Sequence, residues 1–263
     1  MSSQQSSHLL EEEPLCPGFT SRYRERPDWT LRETGTYRYQ RAEPHDTAWK
    51  ETGIVERYTA YRGPQDHQEH IRVVRDARKG PAGLLLRIDA WSEAGALTHL
   101  DLALSDGDDR VRASVVCEIA PTSVRVTRAR PGVLPEQETM PLPGSHHWLP
   151  LTRNFLGPVL CGLASQPDGR GTVVVPDLRD PNAKDTLTPL VQVREAAPLE
   201  LPPQQLAVGE QLLMAEAYRF IGGPYDANST FWVCANSQRL LRYGFVAPSG
   251  EQWSCALVEL TTP

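Results

Sequence analysis

QLLMAEAYRFIGGPYDANSTFWVCANSQRLLRYGFVAPSGEQWSCALVEL, residues 211–260, decides how the rest of the chain is read. Apolar and aromatic residues fill 212–221 until Gly222-Gly223-Pro224 stops them. Residues 230–246 carry two strand-like pieces around Asn236-Ser237, and 253–260 follow the break at Pro248-Ser249-Gly250. Apolar runs punctuated by such turn residues predict a three-stranded antiparallel meander. Leu212, Met214, Tyr218 and Phe220 share one face with Glu216, and Arg242 shares a face with Leu240 and Val246. A charge among apolar residues sits either at the rim of a sheet or in a partnered site. Glu216 and Arg242 are therefore candidate ligand contacts, and the meander reads as the closing edge of one sheet.

Upstream the same period of two recurs. Over 53–62, Ile54, Tyr58 and Ala60 share a face with Glu56, while Val55, Thr59 and Tyr61 share the other with Arg57. Gly63-Pro64 ends that strand, and 69–75 is its hairpin partner. Leu84, Leu86, Ile88 and Ala90 point one way and Leu85, Arg87, Asp89 and Trp91 the other, as in a sheet with one face in a core and one half-wet. Residues 97–104, 110–120 and 123–129 continue the series, and an earlier strand lies within 29–40.

The regularity breaks over 135–181, where Pro141, Pro143, Gly144, Pro150, Pro158 and Pro167 exclude long regular elements. One short helix is predicted over 154–164, with Pro158 in its first turn and Leu156, Val159, Leu160 and Leu163 on one face. Residues 171–175 and 187–195 read as strands, and 206–210 as an extended lead into a turn. The expected fold is all-β with a minor α component: a single curved antiparallel sheet, a half-barrel, with the short helical insert covering its concave face. Residues 1–16 are expected to be a disordered leader and 17–263 a single domain with an irregular insert at 135–185.

Composition limits the function classes. A net charge of -6 and a pI near 5.7 give no global attraction to nucleic acid. The arginine cluster Arg22, Arg24 and Arg26 is diluted by Glu25 and Asp28. The cysteines Cys16, Cys117, Cys161, Cys234 and Cys255 are odd in number and form no C-x-x-C pair, which suits a reducing compartment. The first residues lack a signal-peptide pattern, and no run approaches the roughly 20 apolar residues of a membrane span. A soluble, cytoplasmic protein is the expectation, with no cofactor and no metal. His67 and His70 would point to opposite faces of a strand, and no phosphate-binding, nucleophile-elbow or zinc-protease motif occurs.

The candidate site residues are aromatic and loop groups. Ser145-His146-His147-Trp148 lies in a Pro/Gly-rich loop leading to the helix and is followed by Arg153; loops held by a rigid sheet often carry ligand contacts. Trp91, Tyr218 and Trp232 fall on strands. Together with Glu216 and Arg242 these form the expected ligand-binding set; no catalytic residue is assigned. Aromatic residues on strands either line a concave site or close a solid core.

The residues 211–218, the Phe231-Trp232-Val233 strand, the QRLLRY run 238–243 and the final strand 253–260 resemble the LolA-like half-barrel group and related uncharacterised bacterial families. The resemblance implies a curved sheet holding a lipid or other hydrophobic ligand. The same fold group also contains a cofactor-free pigment-pathway enzyme. This chain departs from the periplasmic carriers in lacking a signal-peptide pattern. Three functions follow as expectations: a binding protein for a hydrophobic or aromatic small molecule, a cofactor-independent enzyme using His146, His147 and Arg153, or an interaction scaffold. Oligomeric state is not legible.

Overall fold

The computed structural model describes residues 28–46, 48–80, 83–222, 229–247 and 249–263. The expected leader, Cys16 and the early arginine cluster lie outside them. Strands β1 (Thr30–Ala42), β2 (Lys50–Arg62), β3 (Gln68–Ala77), β4 (Leu84–Glu93), β5 (Ala96–Ser105), β6 (Val111–Ala120), β7 (Ser123–Arg130) and β8 (Val133–Pro141) run up and down, each paired with the next. There follow β9 (His147–Trp148), a 3-10 turn (Arg153–Phe155), α1 (Leu156–Ala164), β10 (Arg170–Pro176), β11 (Pro189–Pro198) and β12 (Gln204–Val208). The chain ends with β13 (Gln211–Ile221), β14 (Thr230–Cys234), β15 (Leu240–Val246) and β16 (Gln252–Thr261).

These strands form one 16-stranded sheet in the order β8-β7-β6-β5-β4-β3-β2-β1-β16-β15-β14-β13-β11-β10-β9, with β12 paired to β13. The described ladders are antiparallel apart from the short parallel β9–β10 pair. The sheet is curved and unclosed, the all-β half-barrel expected. Two expectations are corrected here. The terminal meander has four strands, because the turn at 235–237 separates β14 from β15. It lies in the middle of the sheet rather than at its edge, because β16 pairs with β1.

A third correction concerns 135–181. Strand β8 begins this stretch despite Pro135 and Pro141, and it occupies an edge, where the missing amide donors cost no ladder bond. Its residues are largely exposed. Helix α1 falls where periodicity predicts it and contributes Leu156, Val159, Leu160 and Leu163 to the core, each stabilising by about 1.5–3 kcal/mol on burial.

The core is continuous along the concave face. Ile88, Leu100, Leu102, Val115 and Val126 from the first strands join the α1 residues, Phe231, Tyr243 and Leu257 in one buried cluster. Leu187, fully buried in the loop after β10, belongs to it as well. Leu212 and Met214 do not: they are 66% and 43% exposed, because the first half of β13 pairs only with β12 on one side and runs past the core.

Side-chain contacts bridge the two ends of the open sheet. The loop between β10 and β11 carries Asn182, Lys184 and Thr188, which meet Arg112 on β6 (3.0 Å), Glu136 on β8 (2.9 Å) and Arg128 on β7 (3.1 Å). The Ala183 carbonyl also accepts from Arg130. Each such surface contact is worth about 1 kcal/mol or less. Together they tie strands that no ladder joins.

Candidate functional site

Charged residues interrupt the concave apolar face at Glu56 and Arg75, which are directly opposite each other on β2 and β3. Alternation on β2 puts Glu56 inside with Ile54, Tyr58 and Ala60, and it is completely buried. Its carboxylate accepts from the Arg153 backbone N–H at 2.6 Å and from the Tyr39 hydroxyl at 3.2 Å. The Arg153 Nε in turn donates to the Tyr39 hydroxyl at 3.1 Å, and its guanidinium lies 4.6 Å from the Tyr243 ring centroid. The 3-10 turn ahead of α1 is thereby fastened to β1 and β2. Burial raises the Glu56 pKa, with Arg153 and Arg75 opposing the shift, and burial holds the Tyr39 phenol well above its ordinary value.

A second buried carboxylate, Glu33, accepts from Arg239 and from the Tyr58 hydroxyl at 3.4 Å. The Tyr37 hydroxyl donates to the Leu240 carbonyl at 2.8 Å. These bonds join β1 and β2 to the β14–β15 turn across the curve of the sheet.

Where α1 meets β13 and β14, the face is not filled. A cleft of about 300 Å³ lies there, lined by Cys161 and Ala164 on α1, Pro198, Glu216 and Tyr218, and Val233 with the turn that follows it. The Tyr218 hydroxyl donates to Glu216 at 3.3 Å. Burial, then Cys161 and Glu216, push the Tyr218 phenol up to about 12, so it is a neutral donor at neutral pH. Burial likewise raises the Cys161 thiol. Burial opposes ionisation of Cys234, yet the Ser237 hydroxyl and the Ser237 and Asn236 N–H groups outweigh it and lower its pKa.

Glu216 and Tyr218 are thus brought together with α1. The other expected site residues lie elsewhere. Arg153 belongs to the Glu56 nest. His146 is exposed, its Nδ1 2.8 Å from the Pro143 carbonyl. His147 packs on α1 so closely that a Cβ at Gly162 would meet its ring at 2.5 Å, and burial followed by the charge of His146 lowers its pKa. Trp148 is buried in the core, its indole Nε1 without an acceptor among the described residues. Trp232 and Arg242 stack at 5.8 Å, and Arg242 reaches Gln204 of β12 at 3.5 Å.

Trp91 occupies the face opposite the core. Its ring stacks on His70 at 4.5 Å and meets His99 edge-on at 5.0 Å. His70 is 2.8 Å from Asp89, His99 is 2.7 Å from Asp101, and Arg72 donates to Asp89 at 3.0 Å. Burial works against the Asp89 carboxylate, but His70 and Arg72 hold its pKa below the usual range. Trp91, His70, His99 and Asp101 are at most 9% exposed, so this outer face is drier than alternation predicts.

His67 is exposed beside Glu93 at 3.2 Å and turned away from His70. Among the described residues, no group of three or more His, Cys, Asp and Glu could hold a metal ion, and no helix is long and apolar enough to cross a membrane. Sequence reasoning passed over Arg75, Cys161 and the interior role of Glu56. The signal present for Glu56 and Arg75 was a charge in register with apolar strand neighbours.

No family model matches the sequence, and no curated protein matches it. The chain is similar to the crystal structure of a beta-barrel-like protein of the domain of unknown function DUF1849 from Brucella abortus. The TM-score is 0.50 at 10% identity, over 89% of this chain and 98% of that one. A DUF1329 family protein from Desulfovibrio piger aligns over 89% of this chain and 86% of that one at 9% identity, with a TM-score of 0.23. The first likeness shows a beta-barrel-like fold alone, coarser than the carrier-group resemblance read from the sequence.

Proposed function

We propose that the protein binds a hydrophobic or aromatic small molecule on the concave face of its sheet, in the cleft beside α1. The observation that carries this is the cleft itself, about 300 Å³ beside α1 at the border of the buried core. Its size is at the lower end of ligand pockets, which run from about 300 to 1,000 Å³. Its walls combine the apolar groups of Ala164, Pro198, Val233 and the Tyr218 ring with polar groups from Ser165, Glu216, Gln238 and the Tyr218 hydroxyl. The apolar groups give affinity for a flat or branched hydrocarbon body, while the Glu216 carboxylate and the Tyr218 hydroxyl oxygen, whose proton goes to Glu216, accept from a single donor group on it. The beta-barrel-like likeness is compatible with such a binding fold.

Nile red, a neutral hydrophobic dye, tests the reading by fluorescence titration. Wild type is expected to show saturable binding, and Ala164→Phe, which fills the cleft from α1, to abolish it while keeping its circular dichroism spectrum. Saturable binding that Ala164→Phe leaves unchanged, or no binding by wild type, would refute it.

A further inference from the structure

Among the described residues, Glu216 is the only charged side chain lining the α1 cleft, and it accepts one hydrogen bond, from the Tyr218 hydroxyl at 3.3 Å. The arginines of β13, of the β14–β15 turn and of β15 are directed elsewhere. Arg219 pairs with Glu195 at 3.6 Å, Arg239 pairs with the buried Glu33, and Arg242 lies over the Trp232 ring on the other face. Glu216 is exposed, so water reaches its carboxylate and a ligand group can take the place of that water.

The proton donors of the lining are largely engaged within the protein. The Ser165 hydroxyl donates to the Gly162 carbonyl at 2.8 Å. The backbone N–H groups of Ser165, Cys234, Ala235 and Gln238 donate to the carbonyls of Cys161, Arg239, Met214 and Cys234. The Tyr218 phenol, raised to about 12, keeps its proton and directs it to Glu216. Thiols are weak donors, and both are occupied, Cys161 with the Tyr218 hydroxyl and Cys234 with Ser237. Apart from the Gln238 side-chain amide, what the lining offers a ligand is oxygen lone pairs: the Glu216 carboxylate and the hydroxyl oxygens of Tyr218 and Ser165.

We propose that the ligand of this cleft is a lipophilic amine, bound as its ammonium ion with Glu216 as counter-ion, an inference that rests on the cleft being the binding site. An ammonium group carries N–H donors and no acceptor, which complements a lining of acceptors. A neutral hydroxyl would satisfy one oxygen and bring lone pairs of its own, and a carboxylic acid in its ionised form would meet Glu216 with like charge. Charge-assisted hydrogen bonds are about twice as strong as neutral ones, so the ammonium gains most from this lining. A quaternary ammonium has no N–H to donate, which leaves primary and secondary amines. Ala164, Pro198, Val233 and the Tyr218 ring take the hydrocarbon body, and the net charge of -6 favours the approach of a cation.

Three naphthalene probes that share a body test this by fluorescence titration at pH 7: 2-naphthylmethylamine, which is protonated, neutral 2-naphthalenemethanol, and anionic 2-naphthoate. Wild type is expected to bind the amine about tenfold tighter than the alcohol, the ratio that a charged over a neutral hydrogen bond supplies, and the acid weakest of the three. Glu216→Gln should bring the amine-to-alcohol ratio to about one, and Glu216→Asp, which keeps the charge on a shorter arm, should keep part of it. Ala164→Phe should lose the amine together with Nile red. Equal binding of amine and alcohol by wild type, tightest binding of the acid, or an amine preference that survives in Glu216→Gln or Ala164→Phe would overturn the proposal. A surviving preference would mean that the net charge of the chain, and not Glu216, draws the amine. If Glu216→Gln does not fold, the wild-type order and the Glu216→Asp ratio decide the matter. Nile red is neutral and keeps two failures apart. Saturable Nile red binding that Ala164→Phe abolishes, with amine and alcohol bound equally, sinks the amine alone, whereas no Nile red binding by wild type sinks the cleft and the amine with it.

Discussion

Gly157→Ala tests how α1 is seated. In an isolated helix alanine is better than glycine by about 1 kcal/mol, so helix propensity predicts a more stable protein. The packing predicts the reverse. A Cβ at Gly157 would lie 2.0 Å from the Gln238 carbonyl oxygen, 2.8 Å from the Leu240 amide nitrogen and 3.0 Å from the Gln238 carbonyl carbon. All of these are backbone atoms of the β14–β15 turn, so no rotamer change relieves the clash, and the helix or the turn must move. Overpacking of this kind costs roughly 1–3 kcal/mol, and a contact this short belongs at the upper end. Setting about 3 kcal/mol against about 1 kcal/mol of helix propensity leaves a net loss of about 2 kcal/mol. For a chain of this size that is a Tm lowered by roughly 4–8 °C. Differential scanning calorimetry of wild type and Gly157→Ala measures it, with Gly107→Ala as control, because a Cβ there meets nothing within 4 Å. A Tm for Gly157→Ala equal to or above wild type would refute the seating of α1 against the turn.

Further outcomes follow from the buried polar groups. Glu56→Ala should destabilise by about 3–5 kcal/mol, because it removes the acceptor of the Arg153 N–H and the Tyr39 hydroxyl and the negative charge facing Arg75, and urea titration reads the loss. Glu56→Gln keeps an acceptor oxygen and should lose less. Asp89 has a pKa lowered in the folded protein, so its contribution is present above the unfolded value of about 3.9 and disappears as pH falls through the lower folded value. Urea midpoints taken from about pH 5 to pH 2 should therefore fall less steeply for Asp89→Asn than for wild type. His146→Ala, at an exposed loop position, should change stability by no more than about 0.5 kcal/mol and leave Nile red binding unaltered.

Strand parity was the most legible part of the chain. Leu84, Leu86, Ile88 and Ala90, then Leu100, Leu102 and Leu104, declare an inward face by alternation, and all are buried. The spacing of Leu156, Val159, Leu160 and Leu163 declares α1 in the same way, because local periodicity reports which side of an element meets a core. Strand β8 was hidden because its prolines exclude a central strand but are tolerated at an edge, and edge position is a property of the whole sheet. The bridge from Asn182, Lys184 and Thr188 to β6–β8 joins residues 48 to 70 positions apart in the chain, which leaves no local pattern.

The site was legible only in fragments for a related reason. Glu216 and Tyr218 have the same parity and adjoin α1, so they share a cleft. Trp232 and Trp91 were chosen for their aromatic character, but their parity opposes that of Phe231 and Ala90, which puts them on the other face. Arg75 has the parity of Ile71 and Val73. Its charge on that face was the sign of an interior cation, but only the third dimension shows that Glu56 is already engaged.

Native mass spectrometry of wild type and Ala164→Phe, purified in parallel without added ligand, tests most directly whether the concave face holds a small molecule. The account predicts that wild type retains a small-molecule mass, displaced by Nile red and released on denaturation, while folded Ala164→Phe does not. Bare polypeptide mass for wild type, together with no saturable uptake of Nile red, would contradict it.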